Sequence, residues 1–206
     1  MDEVRNLSAR QLDALREVAN IGAGHAATAL SQLTGQTIMI SVPRLVVSAV
    51  NEIPNHVATR EEPVAAVLLR MLGDLTGLTL LVLPRVTALR VAEMMSRKPE
   101  GTYTEMGEFE QSAIREAWNI LSSAYLNALA EFMGMILLPS PPVLAVDLSD
   151  AILSSTYLES SKDTDLVFVV ECEFYLTEIN EQLHGFFFLL PDTASLDQIL
   201  KAVRLG

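Results

Sequence analysis

The 206 residues suffice for one sizeable core, or for two small halves around a shared one; half are hydrophobic and 19% charged, which excludes a disordered polymer. A formal charge of −12 without any cluster of Lys and Arg argues against nucleic acid as a partner, because phosphate binding rests on such clusters. No apolar run approaches the ~20 residues of a membrane span, and no basic start leads into an apolar stretch, so neither a membrane segment nor a signal peptide is expected.

In chain order, Ser8-Ala9-Arg10-Gln11 forms a capping box, opening a helix that runs to about Leu33 with Gly35 as its stop. Two β-branched runs follow, Thr37–Val42 and Leu45–Val50. Pro63–Leu72 and Leu78–Leu83, joined by a turn at Gly73–Gly77, read as a hairpin, and a short helix Val86–Met95 comes after it. Residues 97–107, rich in Gly, Pro and charge, read as a linker. A second long helix begins near Phe109 and ends near Gly134, followed by a short run Val143–Val146 and a segment of helical character within Asp147–Ser161. The hairpin Leu166–Leu176 with Gly185–Leu190 and a helix Ala194–Val203 complete the chain. Cys172 is the single cysteine, so no internal disulfide forms; its apolar, strand-like surroundings favour an inert buried thiol and a reducing cytoplasm.

The chain repeats itself. Residues 13–45 set against 112–144, at an offset of 99, align without a gap: Ala14, Arg16, Glu17, Asn20, Ile21, Gly35 and Pro43 meet Ala113, Arg115, Glu116, Asn119, Ile120, Gly134 and Pro142. Further on, Gly77 and Pro84 resemble Gly185 and Pro191 at offsets of 108 and 107, so the second half carries an insertion, placed around Asp147–Ser161. The expectation is a single domain over 1–206, built of two structural repeats at about 8–96 and 107–205. Its fold class is α/β of the α+β type: a pseudo-two-fold duplication with one continuous, largely antiparallel sheet and two long helices on one face. Leu15, Ala19, Gly22 and Ala26 stand where the second copy has Ile114, Trp118, Leu121 and Tyr125. A small face matched to a large one predicts that the two long helices pack against each other.

Within the repeat, Asp13, Glu17 and Asn20 lie at i, i+4 and i+7 and form one polar stripe; Ser112, Glu116 and Asn119 form its counterpart. In each copy 22 residues separate the Asn from a proline, Pro43 or Pro142. An exposed Glu usually does no more than solvate a helix. Asn in mid-helix, however, costs a few tenths of a kcal/mol relative to Ala, and here it recurs at the same place. An amide is no base, but it can accept one hydrogen bond from a water and donate another, which fixes the water's position. That role suits phosphoryl transfer, where positioning and electrostatics dominate. His25, His56 and His184 show no metal-ligand spacing, and no Ser/His/Asp arrangement is apparent, so no metal site is expected. Gly22-Ala23-Gly24 follows a helix instead of a strand, which makes close helix packing a better account than a phosphate loop.

The doubled Asp/Ser-x3-Glu-x2-Asn pattern with its distant proline resembles the chemotaxis phosphatase family of CheC, CheX and FliY. The stretch from Glu17 to Ala29 is similar to the CheC branch, over essentially the whole chain; two motif copies set it apart from CheX and the absence of a flagellar-switch domain from FliY. The resemblance implies a cytoplasmic, monomeric phosphatase of phosphorylated CheY-type response regulators, acting on their phospho-aspartate. It implies that Asn20 and Asn119 orient the attacking water and that Glu17 and Glu116 engage a lysine of the regulator. Asp13 and Ser112 would support them, with Pro43 and Pro142 structural. Magnesium would belong to the regulator, leaving this chain no cofactor of its own. The segment Val146–Ile152 resembles the CheC helix that binds the receptor deamidase CheD, through Asp147, Leu148, Ala151 and Ile152; a capped surface helix is the alternative. A non-catalytic adaptor that docks a regulator or CheD is the competing function. Ser112, Trp118, Leu121 and Tyr125 make the second copy bulkier, so the two sites differ in strength without the sequence ranking them.

Overall fold

The computed structural model describes residues 7–49, 52, 62–160, 166–177 and 180–205, so Val50, His56 and Ser161 fall outside it. In order, the elements are α1 (Ala9–Thr34), β1 (Ile38–Ala49), β2 (Pro63–Gly73), β3 (Gly77–Pro84), α2 (Arg85–Met95) and α3 (Glu108–Met133). They continue with β4 (Leu137–Pro139), β5 (Val143–Leu148), α4 (Ser149–Ser160), β6 (Leu166–Leu176), β7 (Glu181–Pro191) and α5 (Thr193–Leu205). At the start of α1 the capping box is formed: the Ser8 N–H donates to Gln11 Oε1 at 2.8 Å, and the Gln11 N–H donates to Ser8 Oγ at 3.4 Å. Gly35 at φ +74° and Gly134 at φ +64° end the two long helices in the left-handed conformation, which a residue without a Cβ adopts freely.

Among the described residues, seven antiparallel strands form one sheet in the order β1-β6-β7-β3-β2-β4, with β5 also paired to β2. β2–β3 and β6–β7 are hairpins that meet at the centre through β3 and β7. β1 does not pair with its own hairpin; it lies on β6, while β4 and β5 lie on β2. The two outer pairings share a register. Ile38 faces Leu176 as Leu137 faces Gly73, and Ala49 faces Leu166 as Leu148 faces Pro63.

The two runs expected after α1 are one strand. β1 passes through Val42-Pro43 with a register shift against β6 between Ser41 and Arg44. The extra residue switches the core-facing set from Ile38, Ile40 and Val42 to Leu45 and Val47, so the strand keeps its apolar side inward across the proline. In the second copy Pro141-Pro142 fills the same place, and two successive residues without N–H groups divide the strand into β4 and β5.

Strand alternation divides the interior into two layers. Ala65, Val67 and Leu69 of β2, with Phe168, Val170 and Phe174 of β6, join the cluster under α1, α2, α3 and α5. Val64 and Ala66, with Val167 and Val169, face the other way and are covered by Ile152 and Leu153 of α4. The long helices therefore lie on one face, joined there by α2 and α5, while α4 closes the reverse. Leu15, Val18 and Ala19 border a cavity of about 50 Å³ with Tyr125, Leu126 and Leu129. Leu30 and Thr34 border a smaller one, about 20 Å³, with Ile114, Ala117 and Trp118. The start of each helix thus meets the end of the other: α1 and α3 run antiparallel. They pack large into small, for a Cβ placed on Gly22 would stand 2.9 Å from the Tyr125 Cα and from its ring. Behind them, Tyr125 stacks on Phe187 with ring centroids 5.0 Å apart, and Trp118 tilts against the same ring at 5.5 Å. Among the described residues no helix is long and apolar enough to cross a membrane.

Candidate functional site

α1 buries Leu15, Val18 and Ala19 and turns Asp13, Glu17 and Asn20 outward, so the polar stripe lies on the surface opposite the core. α3 repeats the arrangement, burying Ile114, Ala117 and Trp118 under Ser112, Glu116 and Asn119. Ser112 and Glu116 are exposed, but Asn119 is half-buried. Within a stripe, Glu and Asn stand one turn apart at i, i+3, which brings their Cβ atoms to about 5–6 Å. Among the described residues, no side-chain hydrogen bond or ion pair engages Glu17, Asn20, Glu116 or Asn119. Asp13 differs: its carboxylate accepts from Arg16 Nη2 at 3.1 Å, an exposed pair of small energetic weight. Ser112 offers Arg115 no such carboxylate.

Because the helices are antiparallel and meet at Gly22 and Tyr125, the stripes fall on opposite sides of the meeting point. At 1.5 Å rise per residue they sit roughly 15 Å apart along the axes. They are two separate surfaces, and neither completes the other.

Pro43 is exposed at the register shift of β1, and Pro142 is half-buried between β4 and β5. Neither stands on a helix stripe. Leu45, two residues beyond Pro43, borders the same cavity as Leu15, Val18 and Ala19, so the bulge at Pro43 fixes where β1 supports α1. Ile21, at i+4 from Glu17, is 44% exposed beside Asn20, whereas its counterpart Ile120 is half-buried against the core.

At the end of β5, the Asp147 carboxylate accepts the Leu148 N–H at 2.7 Å, and Leu148 is 46% exposed, with Ala151 exposed on α4 nearby. Ile152 does not share that surface. At 6% exposure it lies inside, because α4 must cover the apolar reverse of the sheet at Val64, Ala66, Val167 and Val169.

A sequence model of the CheC-like family matches residues 11–47 and again 109–146. The CheY-P phosphatase CheC of Bacillus subtilis (strain 168) is 32% identical over 205 residues, covering 98% of both chains. The chain belongs to the CheC-like family. The flagellar motor switch phosphatase FliY of the same organism is 31% identical over 150 residues, 72% of this chain but 39% of that longer protein. Among solved structures, the fold is similar to that of Thermotoga maritima FliY, with a TM-score of 0.79 at 21% identity, over 97% of this chain and 98% of that one. The first matched segment carries Asp13, Glu17, Asn20 and Pro43, and the second carries Ser112, Glu116, Asn119 and Pro142. The first matched segment spans most of α1 and β1, and the second spans most of α3 with β4 and the start of β5.

Proposed function

We propose that this chain hydrolyses the phospho-aspartate of a phosphorylated CheY-type response regulator in chemotaxis signalling. The observation that carries the reading is the pair of outward-facing Glu/Asn stripes whose polar groups have no partner among the described residues. A convex helix surface cannot enclose a small substrate; it suits a macromolecular one that brings its own concave site.

Asn20 or Asn119 reaches the phosphoryl group of the docked regulator, where its amide accepts one hydrogen bond from a water and donates another. The water oxygen attacks phosphorus as the bond to the aspartyl oxygen breaks. The aspartate leaves as a carboxylate and the water's protons depart with inorganic phosphate. Glu17 or Glu116, one turn away, pairs with a lysine of the regulator and sets the angle of approach. Asp13 and Ser112 support the stripe ends, and Pro43 and Pro142 shape the strands beneath. The regulator's magnesium would supply charge neutralisation at the phosphoryl oxygens, so no cofactor is assigned to this chain.

On the same reading the chain is one cytoplasmic domain of two repeats, acting as a monomer, with each outward-facing stripe serving one regulator. The exposed Asp147, Leu148 and Ala151 surface would dock CheD. The test is the decay of phosphorylated regulator with substoichiometric protein. Asn20→Ala and Asn119→Ala should each remove part of the acceleration, and the double variant should return decay to the regulator's own rate. Unchanged decay with the double variant would sink the catalytic reading, and regulator binding without turnover would point to an adaptor.

A further inference from the structure

Two glycines stand inside α1, and the structure accounts for only one of them. Gly22 is buried where α3 crosses, and a Cβ there would collide with the Tyr125 backbone. Gly24 is exposed, and a Cβ built on it meets nothing within 4 Å. Glycine in the middle of an exposed helix weakens it relative to alanine, and no packing among the described residues requires that weakness. Thr28 donates its hydroxyl to the Gly24 carbonyl at 3.0 Å, a contact that alanine at position 24 would leave intact.

The direction in which this bare position points is the second observation. At 100° per residue, Gly24 lies within about 40° of Glu17 and Asn20, and its angle falls between theirs. It continues their stripe about 6 Å beyond Asn20. We propose that Gly24 is a clearance position: its missing side chain lets the docked regulator bring its backbone against α1, which sets the depth to which Asn20 enters the regulator's site. This rests on the phosphatase reading above and names one more positioning residue for it. In the second copy the corresponding residue is Ser123, half-buried like Asn119, so the two stripes receive a regulator at different separations.

The test uses the full chain carrying Asn119→Ala, so that turnover reports the first stripe alone. Adding Gly24→Ala should raise Tm by about 2–4 °C through better helix propensity. It should also lower kcat/KM for the phosphorylated regulator about tenfold, through a higher KM and, because Asn20 is held back from the phosphoryl group, a lower kcat, and Gly24→Leu should lower it further. A folding role would lower Tm, and a neutral surface position would leave kcat/KM alone; either result overturns the proposal. An Asn119→Ala parent that is inactive while the unaltered chain is active overturns it too, since nothing would then react at the first stripe. If the unaltered chain itself fails to accelerate decay, the phosphatase reading fails before any Gly24 variant is made.

Discussion

Asn20 and Asn119 hold the same place in two copies of one helix, yet the residue before each gives it a different footing. Ala19 borders a cavity of about 50 Å³ beneath the first, whereas the larger Trp118, 1% exposed, borders one of only about 20 Å³ beneath the second and leans on Phe187. Single side chains also decide what the protein tolerates from solvent. Cys172 is fully enclosed, and its thiol is pushed up to about 12 by burial, opposed by a hydrogen bond with Tyr125 and reinforced by the nearby Glu171 charge. A proton held more tightly in the folded state stabilises the fold fully below the unfolded thiol's value of 9.0; that contribution fades as pH climbs toward 12. Native protein should accordingly resist alkylation at pH 8 and react only when unfolded. The check is a thiol-reagent time course with and without denaturant, and fast labelling of the native chain would contradict the buried placement.

At the scale of elements, the contact between α1 and α3 depends on a backbone close to a backbone. Gly22→Ala should cost about 1–3 kcal/mol by overpacking against Tyr125, lowering Tm by several degrees where Gly24→Ala raises it. Thermal melts of the two variants side by side give opposite signs or refute the distinction. Much at this scale was legible in the sequence. The capping box at Ser8 and Gln11, the stops at Gly35 and Gly134, and the hairpin turning through Gly73–Gly77 are local chemistry, fixed by residues within a few positions of one another. The continuity of β1 was not legible. Proline usually ends a strand, and only the neighbouring β6 shows that a register shift absorbs Pro43. The burial of Ile152 was not legible for a similar reason, since nothing near it in the chain indicates that α4 covers the far side of the sheet.

Across the whole molecule, pairing crosses between the halves. Among the described residues β1 borders only β6 in the sheet, and β4 and β5 border only β2, so each half's first strand depends on the other half for its hydrogen bonds. Residues 1–100 and 101–206 expressed separately should each lack stable structure, with unpaired strands and uncovered core. Mixing them should restore native circular dichroism. Independent cooperative melting of either fragment would contradict this account. In the intact chain, the buried Trp118 and the far-ultraviolet signal should change in a single shared transition, because one cluster joins both long helices to both hairpins.

The sequence alone determined the repeat of Glu and Asn at an offset of 99, the faces on which those residues stand, and the helix and hairpin ends. All of these follow from short-range periodicity and capping. Only the tertiary structure decided that the helices run antiparallel, that the stripes lie apart on opposite sides of their contact, and that Gly22 is filled by Tyr125 while Gly24 stays bare. The reason is physical: two glycines two residues apart are the same in composition and propensity. What distinguishes them is a neighbour about a hundred positions away, which one faces and the other does not.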